Sequence, residues 1–263
     1  MSADHEQRRD RAAGVLLGIA AGDQIGGPVR MALQLAASLL ERRRFEVDDV
    51  RARYLAWYQE RGFDTGPVAA QVFDRLLKGV PPGEAVREVD RVNGGYTAGC
   101  NPVHRTPPLA MAAFIPDDRL AACARADARI THFSPVAGAA ASTAVTLCRA
   151  LIAGQPWPDA RAAAAAGAEG EIADALEEAK KPRRTGYAPH VLGAAVHFAG
   201  AAADFQDALD QAFQFAGPAN YCPVLTGALA GARWGSRGIS STLDNDAFTA
   251  RLRATAWALA ESW

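Results

Sequence analysis

Between Asp210 and Asp244 this 263-residue chain carries no carboxylate, and there is none between Asp23 and Glu41. A hard cation such as magnesium needs oxygen ligands, mostly carboxylates, to offset the work of stripping its hydration shell. Neither stretch can supply them. The four cysteines, Cys100, Cys123, Cys148 and Cys222, show no paired short spacing. That argues against a zinc site and a disulfide framework and for reduced thiols in the cytoplasm. No uninterrupted apolar run is long enough to cross a bilayer. The opening residues Met1 to Asp10 are polar and charged where a signal peptide needs an apolar core, so no leader is expected. Charge of one sign is also lacking, with 28 Lys and Arg against 29 Asp and Glu. Nothing therefore favours nucleic acid or an anionic membrane as a partner. The two basic runs, Arg42 to Arg44 and Lys180 to Arg184, fall at expected helix ends, where cations suit the dipole and the solvent.

What the chain does have is apolar residues at helical spacing. They predict helices over 10–21, 31–41, 49–60, 67–78, 118–129, 136–152, 171–180, 190–200, 205–215, 223–233 and 246–260, with Pro, Gly or Asp at most boundaries. Strand alternation is missing. With 49% hydrophobic residues the chain can bury one sizeable core. The expected fold class is all-α, a compact single-domain multi-helix bundle spanning 1–263, with a polar N-terminal tail over 1–8. Small residues along one helix, as in Gly227-Ala228-Leu229-Ala230-Gly231-Ala232, permit close helix approach. The run Ala162 to Ala166 favours helix and is expected to be exposed.

Several local patterns recur together. Ala216-Gly217-Pro218-Ala219-Asn220-Tyr221-Cys222-Pro223-Val224-Leu225-Thr226-Gly227 resembles the C-terminal GGDTDT motif, and the TGALAGA-type helix after it, of the ADP-ribosylglycohydrolase family. Arg11 to Val29 resembles the family's opening helix and its G-D-A-x-G-x-P-V-E turn, with Gly22, Asp23, Gly26 and Pro28 kept and Arg30 in place of the glutamate. Met31 to Leu40 then resembles the helix that follows a T-D-D-T-x-M motif, so the segment between is missing. Tyr54 to Tyr58 with Asp64-Thr65-Gly66, Cys100 to Leu109, Thr131-His132 with Pro135, and Gly186-Tyr187 resemble further landmarks, so that the likeness covers roughly residues 9–240.

The resemblance implies two magnesium ions held between two acidic motifs. In this chain the positions of the C-terminal aspartates fall on Pro218 and Asn220, and the second threonine falls on Tyr221. The expected consequence is a divergent member without the dinuclear site and without a cofactor. Polar groups still gather at the cleft-lining motifs. His104, Asp23 and Tyr221 are candidates for proton transfer, because each can hold or move a proton, and the ordinary pKa of a histidine suits acid or base work. Asn101, Arg105, His132, Asn220, Cys222 and Asp64 are candidates for binding a small molecule.

Each candidate has a plainer structural alternative. Asp23 can pin the turn after the first helix, and Asp64 can cap the helix entered through Pro67. His132 can hold a helix junction, and Arg105 can bind a ligand anion or close a salt bridge. Cys222 stands at a helix start, where thiol pKa values tend to fall, or it simply packs. The leading functional reading is a metal-independent enzyme acting on a polar small molecule. The alternative is a non-catalytic pseudoenzyme that binds ADP-ribose, a nucleotide or a protein.

Overall fold

Residues 2–23, 26–177, 181–217, 221–239, 243 and 246–263 are described by a computed structural model. At the centre lies a seam of two helices, α1 (Ala3–Gly22) and α14 (Cys222–Trp234). Glycines from both helices meet along it. A Cβ built on Gly18 would lie 2.0 Å from the backbone oxygen of Gly227, and one on Gly14 would lie 2.3 Å from that of Gly231. Only residues without a side chain let two backbones approach so closely. The small-residue pattern of 227–232 thus has its partner in the GxxxG spacing of α1.

Around this seam pack α2 (Gly27–Arg42), α9 (Pro135–Ile152), α12 (Ala188–Ala201), α13 (Phe205–Ala216) and α15 (Ala247–Ala260). Helices α3 (Val47–Arg61), α4 (Pro67–Leu77), α5 (Pro82–Val92) and α8 (Asp117–Ala128) complete one flank, and α10 (Trp157–Ala165) and α11 (Glu171–Glu177) another. Two short helices, α6 (Asn101–Arg105) and α7 (Pro108–Met111), run into the core. Among the described residues no strand forms. A single antiparallel bridge joins Gly99 to Tyr187, flanked by Cys100 N–H to Gly186 O and Ala188 N–H to Ala98 O, each 2.9 Å.

The all-helical single-domain architecture agrees with the sequence reading, and the differences have local causes. The expected polar tail is helical from Ala3, because Ser2 accepts the His5 N–H as an N-cap and Asp4 and Glu6 fall in the favourable first turn. Helix α5 was not expected, and of α10 only the helix-favouring alanine run was. Proline in the first turn starts both. The alanine run of α10 is mostly exposed, with Ala164 turned inward.

Helix α9 is long and apolar enough by length and composition to pass for a membrane span, although Arg149 interrupts its apolar run. It is 78% buried within the fold and serves as the core helix against which several others pack. No other described helix meets the same length and composition.

Candidate ligand-binding cleft

A cavity of about 450 Å³ opens where the start of α2, the loop before α4, the 96–104 segment and the residue before α14 converge. His104, His132, Asn101, Asp64 and Tyr221 all line it, as does Tyr96, which stands on the rim almost fully exposed. Five of the nine candidate residues are therefore brought together. The bridge between Gly99 and Tyr187 holds one wall, and Gly186 leaves room for the Tyr221 ring, which a Cβ there would meet at 3.0 Å.

His104 lies in α6 and is 3% exposed. Its Nε2 is 2.6 Å from the backbone oxygen of Tyr221. A carbonyl only accepts, so Nε2 carries the proton and the neutral ring presents a bare Nδ1. Burial lowers the His104 pKa to about 4, with the Tyr221 hydrogen bond and the charge of Asp23 opposing the shift. This corrects the expectation of an ordinary histidine pKa, because burial disfavours the charged ring.

His132 shows the complementary arrangement. Its Nδ1 is 2.8 Å from the hydroxyl of Thr131, and that hydroxyl already accepts the Arg105 Nη1–H at 2.9 Å. Nδ1 is the one acceptor described for the threonine proton, an arrangement that leaves the imidazole proton on Nε2. A Cβ on Gly99 would stand 3.2 Å from that Nε2, which puts the N–H at the cleft wall. Burial and then the Arg105 charge lower the His132 pKa to about 3. His132 lies buried between α8 and α9, its described ring hydrogen bond is to Thr131 and not to a backbone group, and the ring faces the cleft.

Arg105 is fully buried and does not reach a ligand. Its Nε donates to Asp127 Oδ1 at 2.7 Å, Nη2 to the Asp127 backbone oxygen at 2.8 Å, and Nη1 to Thr131 and to Asn101 Oδ1. Tyr54 completes the group, with its hydroxyl 2.8 Å from Asp127 Oδ2 and its ring 4.9 Å from the guanidinium. Binding by Arg105 is corrected to the salt-bridge alternative, since its donors are already taken up within the core. Asn101 orients this cation and turns its amide nitrogen toward Met31 Sδ at 3.6 Å. Asp127 and Tyr54 had escaped the list of polar candidates. Arg105 of α6 and Asp127 of α8 are 22 residues apart, so the pair is made by packing and carries no local sequence signal.

Asp23 closes the turn into α2. Its Oδ1 accepts the Gly26 N–H at 2.8 Å and its Oδ2 the Val29 N–H at 2.7 Å. It does not line the cavity, and its influence on His104 is through charge. Arg30, standing at the glutamate position of the resemblance, donates to Gly26 O at 2.9 Å and lies over the rings of Phe63 and Phe248. It therefore braces the same turn.

Two helix-start expectations need correction. Gly66, in a left-handed conformation at φ +78°, is the N-cap of α4, and no side chain caps that end. Asp64 itself sits at φ +50° and faces the cavity instead. Cys222 begins α14, but burial raises its pKa to about 12. It packs with Ala194, Phe198, Ala212 and Ala216, away from the cleft lining. Burial outweighs the helix terminus here. Pro218 and Asn220 lie outside the described residues.

The sequence model of the family described as ADP-ribosylglycohydrolase matches residues 29–262. The chain belongs to the ADP-ribosylglycohydrolase family. Among solved structures it is similar to one titled "ADP-ribosylglycohydrolase-related protein complex", with a TM-score of 0.81 and 26% identity over 98% of this chain and 99% of that one. No curated protein matches it. In this ADP-ribosylglycohydrolase family chain, the described residues contain no group of three or more His, Cys, Asp or Glu placed to hold a metal ion. Asp64 is the carboxylate among the residues lining the cleft.

Proposed function

We propose that this ADP-ribosylglycohydrolase family member works without a dinuclear magnesium centre and acts on a small, polar, neutral molecule bound between Tyr96 and Tyr221. The observation that carries the reading is the pairing of two neutral imidazoles of opposite hydrogen-bonding sense in one cavity. His104 offers a bare Nδ1 as a proton acceptor, its tautomer fixed by Tyr221 O. His132 offers Nε2–H as a donor to a developing oxyanion, its tautomer fixed by Thr131. A neutral imidazole kept from protonating is suited to polarise an oxygen, and a base oriented by a fixed partner is suited to abstract a proton.

The ligand set supports the metal-free part of the reading. The described carboxylates nearest the cleft are Asp64 and Asp23, and both Asp23 oxygens accept backbone N–H groups. Two such acids do not suit the six-coordinate oxygen shell that magnesium requires, let alone a pair of ions. No step of the proposed chemistry passes through a metal.

A second reading, a non-catalytic binder, draws on the same Asp23 geometry. With Asp23 committed to the α2 turn and Arg105 to Asp127, Asp64 is the one charged side chain left in the described cleft lining to assist His104. The deciding experiment is a thermal-shift panel of ADP-ribose, NAD, nucleotides and neutral glycosides, each with and without magnesium. It is followed by a turnover assay of any stabilising ligand on wild type and His104→Gln. Stabilisation independent of magnesium, with turnover lost in the variant, is the expected result. Stoichiometric magnesium uptake, or stabilisation seen only with the ion, would sink the metal-free reading, and binding without product would leave the binder.

A further inference from the structure

A second cavity of about 290 Å³ opens between α3, α5 and the end of α8, with no lining residue in common with the cleft above. Arg51, Arg87 and Arg129 converge on it, and its lining contains no carboxylate. Arg129 is held in place, donating to the backbone oxygen of Phe133 and lying 4.0 Å from the centre of that ring. Arg51 makes an exposed contact of 2.9 Å with Asp48, a kind of pair that leaves a guanidinium largely available. Arg87 makes no ion pair or hydrogen bond among the described residues.

Arg87 stands exposed at the rim of this cavity. Its guanidinium folds back over the first turn of α5, with Nη1 3.6 Å from where a Cβ on Gly83 would stand. Pro81 and Pro82 at the start of α5 have no N–H, and the Glu84 and Ala85 N–H groups bond Pro81 O, so the positive charge of this rim comes from the guanidiniums. Three guanidiniums around one concavity match a dianionic oxyanion, because a guanidinium can present two parallel N–H groups to it. Ile130 and the Phe133 ring add an apolar floor beside this charged rim.

We propose that this cavity is a binding site for a phosphate monoester carried on an aromatic or similarly apolar group. The site is independent of the proposed chemistry in the first cleft. Isothermal titration of phenyl phosphate and of inorganic phosphate into wild type and Arg87→Ala, at low and raised salt, tests it. Phenyl phosphate is expected to saturate and to bind more tightly than inorganic phosphate, with affinity falling as salt rises. Arg87→Ala is expected to weaken it about tenfold or more, with the melting temperature of the free protein unchanged. Absence of saturable binding, or wild-type affinity in both Arg87→Ala and Arg51→Ala, would overturn the assignment.

Discussion

His104 donates its Nε2–H to the backbone oxygen of Tyr221 at 2.6 Å, tying the short helix α6 to the entrance of α14. That bond fixes which nitrogen is basic, and it makes the fold of the 221 region a condition of any chemistry at His104. A substitution of His104 therefore acts on local structure as well as on proton transfer. His104→Gln is the informative variant, because its amide can still donate to Tyr221 O while the basic nitrogen is gone.

The two buried imidazoles make stability fall in mild acid. Both folded-state pKa values, about 4 for His104 and about 3 for His132, lie below the ordinary 6.5. The unfolded chain then takes up protons that the folded chain refuses as pH drops below 6.5. Above that value the two states bind equally and the effect vanishes. Between pH 6.5 and 4 each ring contributes a slope of about 1.4 kcal/mol per pH unit. Urea denaturation across this window is expected to show a combined histidine slope that His104→Gln reduces by roughly half. An unchanged slope in the variant would mean that His104 titrates normally.

The Arg105 core supports the cleft and does not bind its ligand. Arg105→Met leaves Asp127 buried without its cation, a change that costs about 3–5 kcal/mol. Tyr54→Phe removes one hydrogen bond to the same carboxylate and costs about 1–2 kcal/mol. Chemical denaturation should rank them in that order. If Arg105→Met kept wild-type stability and lost only ligand affinity, the guanidinium would have to be reassigned to binding.

How much of this was legible in the sequence follows from what each residue depends on. Helix periodicity is local, so the long helices and the all-α class could be read directly. Helices α5 and α10 are short and lie outside the spans that helical periodicity marks, although the alanine run of α10 favours helix. The cleft was legible as a set of motifs, and the structure gathers His104, His132, Asn101, Asp64 and Tyr221 there. Which of these is protonated was not legible, because burial and the Thr131 and Tyr221 partners come from segments remote in the chain or from the turn of a single hydroxyl. The roles of Arg105, Cys222 and Asp23 were open between binding and structure for the same reason. Only packing shows whether their polar atoms are already used.

The cysteines give a direct chemical readout of that packing. Burial raises the thiol pKa of Cys100, Cys148 and Cys222 to about 12, and more modestly that of Cys123. The thiolate is the reactive form. Iodoacetamide at pH 8 is therefore expected to label the native protein slowly, with Cys123 ahead of Cys148 and Cys222, and all four rapidly in urea. Mass mapping of the modified peptides measures the order. Fast native labelling of Cys222 would restore it as a candidate nucleophile at the start of α14.

The glycine seam between α1 and α14 sets the position of everything that α14 carries, including the Tyr221 carbonyl that orients His104. A methyl group on Gly18 would fall 2.0 Å from Gly227 O, and one on Gly227 would fall 2.0 Å from Gly18 O. Those neighbours are backbone atoms, which cannot swing aside as a side chain does, so the helices must separate. Overpacking of this kind costs about 1–3 kcal/mol and more where relaxation is blocked. Gly18→Ala and Gly227→Ala are each expected to lower the melting temperature strongly. Gly83→Ala, whose Cβ would meet nothing nearer than 3.6 Å, is the steric control and should change it little. Because the separation moves α14 against α6, a surviving Gly227→Ala protein should also show a changed His104 titration by NMR. A His104 titration identical to wild type would break the link between the seam and the cleft.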